Sequence, residues 1–463
     1  MARKEIIVAI ELGSSKLTGI AGRKNFDGSI NVLAVAKEDS SSFIRRGVVY
    51  NIDKTALCIS NVVKKLSTQL KAKITQVYVG VGGQSLRSVK NVIVKELAPD
   101  TKVTDQLVAD LMDTNRSTNY PDKEILDVIS QEYKVDNQYL TDPVGIQCSH
   151  IEGHFLNILQ RASFYRSLRQ CFETAGVRIA EMYISPIALA ECVLTDPEKR
   201  SGCALVDLGA ATTTVAVYNK NILRHLAVIP LGGNNITKDI ATLQMEESDA
   251  EKMKLRHAEA YTEPDTIDDN LTLPIDTERT VESRKFIEIV EGRLEEIIRN
   301  VWEQIPVEYT NLFGGIILTG GGSNMKNIVK AFTQHTQVNK IRIAKFVNQN
   351  ITTHSSDINA KDGTMNTVLA LMIKGDDSCV DNETETTQSG TEGTSRTASP
   401  VSKTPETTSG NTKKEDKGEG KKEEEGGKTK GEKEKTKKKG IAKFGQWIKD
   451  FTQKITEEED DDE

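Results

Sequence analysis

Two distant stretches of this sequence carry the same pattern. Ile7-Val8-Ala9-Ile10-Glu11-Leu12-Gly13-Ser14-Ser15-Lys16-Leu17-Thr18-Gly19-Ile20 is echoed by Ala204-Leu205-Val206-Asp207-Leu208-Gly209-Ala210-Ala211-Thr212-Thr213-Thr214-Val215-Ala216-Val217. Each reads as an apolar strand, a carboxylate, a spacer, a glycine, small or hydroxyl residues, and a second strand. Two copies imply two similar lobes, and 463 residues exceed what one hydrophobic core usually organises. Strand-like runs such as Ile6 to Ile10, Val77 to Val81 and Ile316 to Thr319 alternate with helical patterns such as Thr55 to Leu70, which predicts an α/β protein.

A tight hairpin of glycine and small hydroxyl residues turns several backbone N–H groups into one concavity, which suits a polyphosphate. The carboxylate at the strand end can hold Mg²⁺ beside those phosphates, directly or, as expected here, through water. One such hairpin is mostly just a turn; two facing each other make a nucleotide site. Glu11 and Asp207 are therefore the candidate catalytic and metal-holding carboxylates. A third element, Ile316-Ile317-Leu318-Thr319-Gly320-Gly321-Gly322-Ser323-Asn324-Met325, is a buried strand that breaks into three glycines before a helix. Glycines there let the backbone approach a base or sugar, and the helix start adds N–H donors. Glu251 and Lys254 stand i,i+3 on one helix face, by themselves an ion pair on a solvated surface.

Charge narrows the function further. The net charge is −7, but the last seven residues, Glu457 to Glu463, are all acidic, and without them the acidic and basic counts are equal. A neutral body lacks the basic footprint of a nucleic-acid binder. Cys58, Cys148, Cys171, Cys192, Cys203 and Cys379 form no C-x-x-C pair, as expected of reduced thiols in a cytosolic protein. No secretory leader and no run of about 18 apolar residues is expected, so a membrane role must come from a surface-lying segment.

Such a segment closes the chain. From Asp381 to Lys439 the only aliphatic residues are Ala398 and Val401, the composition of a disordered tether. The half from Lys413 to Lys439 carries twelve Lys against eight acidic residues, read as a solvated linker. Beyond it Ile441, Phe444, Trp447, Ile448, Phe451 and Ile455 recur every three or four residues, an apolar arc of about 120° with Lys443, Lys449 and Lys454 outside it. That predicts an amphipathic helix lying in a membrane interface, the alternative being a helix that docks on a protein.

In order and spacing these segments resemble the actin/Hsp70/sugar-kinase superfamily, and within it the FtsA family of bacterial cell-division proteins. The closer likeness is carried by Arg46-Gly47-Val48-Val49-Tyr50-Asn51-Ile52-Asp53; by Tyr133-Lys134-Val135-Asp136 with Asp142-Pro143-Val144-Gly145; by Pro230-Leu231-Gly232-Gly233-Asn234-Asn235-Ile236-Thr237-Lys238-Asp239-Ile240-Ala241; and by the amphipathic C-terminus. The resemblance implies a two-lobed actin-like fold, ATP and Mg²⁺ between the lobes, and an inserted α+β subdomain used in self-association. It implies a first phosphate loop of Glu11, Gly13, Ser14, Ser15 and Lys16, and a second of Asp207, Gly209 and Thr212. Gly320, Gly321 and Gly322 would form the adenosine turn, and Glu251 with Lys254 the ribose and base contact. The implied partners are filament neighbours, the lipid surface, and the short tail of the tubulin-like protein FtsZ, bound on about residues 235–300 with Arg284, Lys285 and Arg293 as candidate cations; Arg293 equally suits a pair with Glu296. The implied place is the cytoplasmic face of the inner membrane at the division site.

The expected division is 1–85 and 164–203 for the first lobe, 86–163 for the insert, 204–378 for the second lobe, 379–439 for the tether, 440–456 for the amphipathic helix and 457–463 for the acidic tail. Departures from the superfamily also matter. Glu11 stands where an Asp is usual, Ala210-Ala211 where glycines are usual, and Thr214 where an Asp often stands. The place of a water-orienting Gln or Glu holds Ser185 or Pro186. Nucleotide binding with at most weak ATPase activity follows. Rival readings are a pilus-assembly actin homologue, which needs no such tail, and a small-molecule kinase, which needs no tether. A chaperone would need a β-rich domain after residue 380.

Overall fold

The computed structural model describes residues 5–268, 270–276 and 279–381. The expected tether beyond residue 381, the 440–456 helix with its six apolar residues and the acidic tail lie outside the described residues.

The chain opens on a meander, β1 (Ile7–Leu12), β2 (Lys16–Lys24) and β3 (Ile30–Asp39), of which β1 and β2 are buried in unbroken runs while β3 alternates between buried and more exposed residues. A short hairpin, β4 (Ile44–Arg45) and β5 (Val48–Val49), leads to α1 (Ile52–Leu70). Asn51 caps that helix by accepting from the Lys54 N–H, and Thr55, Ala56, Ile59, Val62 and Leu66 bury one stripe of it. The strand β6 (Gln76–Val81) then lies parallel to β1.

Here the insert departs: β7 (Arg87–Lys102), α2 (Asp105–Arg116), β8 (Lys123–Val135), β9 (Gln138–Leu140) and β10 (Gln147–Arg161). Its small core is built on Leu107, Leu111, Tyr133, Ile151 and Phe155. The first lobe resumes with α3 (Ala162–Thr174), β11 (Arg178–Ile184) parallel to β6, and α4 (Ser185–Val193).

After α5 (Asp196–Ser201) the pattern repeats. A second meander, β12 (Cys203–Leu208), β13 (Thr213–Asn219) and β14 (Ile222–Ile229), is followed by α6 (Gly233–Ala241) and α7 (Glu247–His257). A hairpin of β15 (Thr272–Pro274) and β16 (Thr280–Glu282) leads into α8 (Ser283–Glu303), and β17 (Gly315–Thr319), α9 (Ile328–Thr336) and β18 (Ile341–Ile343) complete the lobe. The strand orders are β11-β6-β1-β2-β3 and β18-β17-β12-β13-β14, each an antiparallel meander extended by two parallel strands. The echo in the sequence is thus a duplicated sheet, the two-lobed actin-like arrangement.

Two features depart from the expected division. The last segment, β19 (Ile351–Thr353), α10 (Ser356–Asn359) and α11 (Asn366–Lys374), falls within the 204–378 expected for the second lobe. Instead β19 pairs with β3, and Val368 to Met372 of α11 are buried in the core of the first lobe. Val380 then bridges to Ile74. The insert also reaches the second lobe, because β7 pairs with β14 at Arg87 and Ala227 and makes one nine-stranded sheet of the two.

Candidate nucleotide cleft

The two meander hairpins close identically. Gly13 N–H donates to Lys16 O at 3.1 Å, and Gly209 N–H donates to Thr212 O at 2.9 Å. A Cβ on Gly13 would lie 2.7 Å from that oxygen and one on Gly209 2.8 Å from its counterpart, so neither closing position admits a side chain. Among the described residues, the N–H groups of Ser14 and Ser15 in one turn, and of Ala210 and Ala211 in the other, donate to no protein acceptor. Successive free N–H groups in a turn are an anion cradle. The first turn is braced by Gly47 N–H donating to Ser14 Oγ at 2.7 Å and by Ser40 Oγ donating to Gly13 O at 2.6 Å. The second is braced by the start of α6, where Gly233 and Asn234 donate to the carbonyls of Gly209 and Ala210 at 3.0 and 2.7 Å.

Both turns line one cleft of about 1770 Å³, which also gathers Glu11, Lys16, Asp207, Thr212, Glu251, Lys254 and Gly320 to Gly322. Every residue that the sequence proposed for the nucleotide therefore lines a single cavity. Ala210 lines it as well, whereas Ala211 does not. The cations proposed for a partner do not. Arg284 and Lys285 are exposed on α8, and Arg293 is held by Asp239, at 2.5 and 3.2 Å, and by Glu296.

The electrostatics of the cleft floor are unfavourable to two bare carboxylates. Burial and then the charge of Asp207 push Glu11 up to about 8, opposed by Lys37 and by the N–H of Val368 at the start of α11. Burial pushes Asp207 up to about 6. Lys37, which the sequence did not single out, lies 3.1 Å from Asp357 and lines the cleft. A divalent cation meets the same need, since Mg²⁺ takes one or two carboxylates, several waters and substrate phosphates rather than an all-protein cage. Among the described residues no cluster of three or more His, Cys, Asp or Glu could hold a metal alone, so these two carboxylates fit Mg²⁺ only together with phosphate.

On the far wall, Lys254 is largely shielded and donates to Gly233 O at 3.0 Å, Thr237 Oγ1 at 2.8 Å and Glu251 at 2.6 Å. Two of its protons tie α7 to α6 and the third pairs within α7, whereas Glu251 is partly exposed toward the cleft. Gly320, at φ +81°, passes directly over Asp207, and Ser323 Oγ donates to its carbonyl at 2.7 Å.

The family model for cell division protein FtsA matches residues 204–361, and the model for the SHS2 domain inserted in FtsA matches residues 83–159. The cell division protein FtsA of Porphyromonas gingivalis is 32% identical over 340 residues, 72% of this chain and 71% of the relative. That of Neisseria meningitidis is 30% identical over 339 residues, 71% of this chain and 81% of the relative. Among solved structures, a chain of the PilM-PilN type IV pilus biogenesis complex shares the fold, with a TM-score of 0.55 at 15% identity, covering 80% of this chain and 98% of that one.

Proposed function

The chain belongs to the FtsA family of cell division proteins, and from that premise we propose that it is an ATP-binding, filament-forming adaptor that ties the FtsZ ring to the inner face of the membrane. The observation that carries the nucleotide half is the pair of identical hairpins, each with a carboxylate at its strand end, facing one cleft. Glu11 and Asp207 hold Mg²⁺ beside the phosphates. The free N–H groups of the two turns receive the phosphate oxygens, and Gly320 to Gly322 leave room for the adenosine. Bound Mg²⁺ supplies the positive charge that lets both carboxylates ionise at neutral pH.

The adaptor half rests on the family and on the sequence beyond residue 381. Filaments form through the insert, and the FtsZ tail peptide docks on α8 and its surroundings, where an acidic peptide competes with Asp239 and Glu296 for Arg293. The apolar face built on Trp447 and Phe451 enters the bilayer interface. Side chains of that size contribute about 1.5 to 3 kcal/mol each, marginal for a monomer. A filament carries many such helices and binds multivalently, so polymerisation converts weak anchors into firm attachment. Among the described residues no helix is long and apolar enough to cross a membrane.

Lipid-vesicle sedimentation with and without ATP tests this reading. The full chain should sediment with vesicles, more so with ATP, while a chain truncated before Lys437 and a Trp447→Glu variant should stay in the supernatant. Co-sedimentation of the truncated chain at full-length levels would remove the membrane role from the helix.

A further inference from the structure

The connecting helix α4 begins at Ser185 and Pro186, which line the cleft but carry neither an amide nor a carboxylate. Ser185 Oγ is packed against β6, only 2.3 Å from where a Cβ on Gly80 would stand. Pro186 has no polar side chain. A longer amide lines the same cleft, on the strand by which the insert rejoins the first lobe. Gln160, near the end of β10, is 2% exposed, lines the same cleft as Glu11 and Asp207, and donates through Nε2 to Gly82 O in a long hydrogen bond of 3.4 Å. Turned the other way, the amide would set oxygen against oxygen, so the observed orientation follows from its partner. Its Oε1 is buried and accepts from no protein donor.

The position is set by the sheet. In β1 and β6 Ile10 pairs with Val79, and in β6 and β11 Val81 pairs with Ile184. Glu11, Gly80 to Gly82 and Ser185 therefore end three neighbouring strands, each about 4.8 Å from the next. We propose that Gln160, supplied by the insert's exit strand, orients the attacking water in place of the amide or carboxylate that Ser185 and Pro186 lack. The proposal rests on the reading of the cleft as an ATP site. With a triphosphate on the hairpins, Oε1 accepts a hydrogen bond from a water molecule as the lobes close on it. The water oxygen forms a bond to the terminal phosphorus. The bond from that phosphorus to the diphosphate oxygen breaks and leaves its electron pair there, and the water proton departs with inorganic phosphate.

An orphaned acceptor has a signature apart from turnover, because an isosteric apolar side chain relieves it. The test compares the full-length protein with Gln160→Met and Gln160→Glu, and with Asp207→Ala as the control for the site. ATP and ADP affinities are read by calorimetry, phosphate release in single turnover, and thermal melting without nucleotide. Gln160→Met should keep both affinities within about twofold, lose phosphate release by about tenfold or more, and melt at or above the wild-type temperature. Gln160→Glu, which keeps an acceptor, should release phosphate faster than Gln160→Met. Wild-type release rates in Gln160→Met, melting several degrees lower, or a wild-type chain that binds ATP and releases no phosphate over a day would each overturn the role of Gln160. A wild-type chain that binds no ATP, or an Asp207→Ala variant with full affinity, would instead sink the ATP reading of the cleft.

Discussion

Glu11 is a glutamate where a shorter carboxylate is usual, and the extra methylene carries its charge into a poorly solvated floor. Its proton is held up to about 8, against an ordinary value of 4.5. Between those values the folded chain binds more protons than the unfolded chain, so stability must fall as pH rises through that window. Each unit of displaced pKa corresponds to about 1.4 kcal/mol, which makes the whole effect several kcal/mol. The nucleotide-free protein should therefore melt at progressively lower temperature as pH is raised from about 5 to about 8. Gln at this position imitates the protonated acid, so Glu11→Gln should flatten the upper part of that decline. Asp207, held up to about 6, should keep its own share at the acidic end. Melting curves of the two proteins across that range decide it, and parallel declines would show that Glu11 titrates normally.

Among the elements, the glycine turn after β17 makes the sharpest local demand. A Cβ on Gly320 would stand 2.3 Å from Asp207 Oδ1 and 2.7 Å from Leu208 O, at a φ of +81° that side chains rarely adopt. Gly320→Ala should cost about 1 to 3 kcal/mol of stability and displace Asp207, with nucleotide affinity falling alongside. One position on, a Cβ on Gly321 meets nothing closer than Thr364 Cγ2 at 3.6 Å. Gly321→Ala should therefore fold like wild type and lose affinity only if a ligand occupies that space. Melting and calorimetry of the pair separate the two effects. The contrast also marks what was legible in the sequence. The hairpins and the glycine turn are local, and their chemistry is written in consecutive residues. Contacts between distant segments are not. Lys254 reads as a surface ion pair, yet it closes the α6–α7 junction because Gly233 and Thr237 fold onto it. Gln160 lies in a strand with no motif. The apolar pattern of α11 suits either lobe, and only the pairing of β19 with β3 sends it back to the first.

At the scale of the whole molecule, the insert is covalently part of one lobe and hydrogen-bonded to the other. Besides the pairing of Arg87 with Ala227, Leu226 N–H donates to Ser88 Oγ at 2.8 Å, and Gln131 Nε2 donates to Leu223 O at 3.0 Å. The centre of the seam is Arg224, 5% exposed, which donates to Asn219 O at 3.3 Å, Gln131 Oε1 at 3.1 Å and Glu132 Oε1 at 3.2 Å. A guanidinium with this many acceptors is stabilising only while all of them are met. Truncation leaves Glu132 with the more distant Lys220, at 3.7 Å, so the loss falls below that of a fully buried pair. Arg224→Ala should cost about 2 kcal/mol, and the damage should be regional. Amide exchange should accelerate in Leu223 to Ala227 and in Ile129 to Glu132 while Ile7 to Leu12, in the far sheet, keeps its protection. Uniform acceleration through both sheets would instead mean that the seam and the two lobes unfold as one unit, leaving the insert no freedom to move separately when the cleft closes.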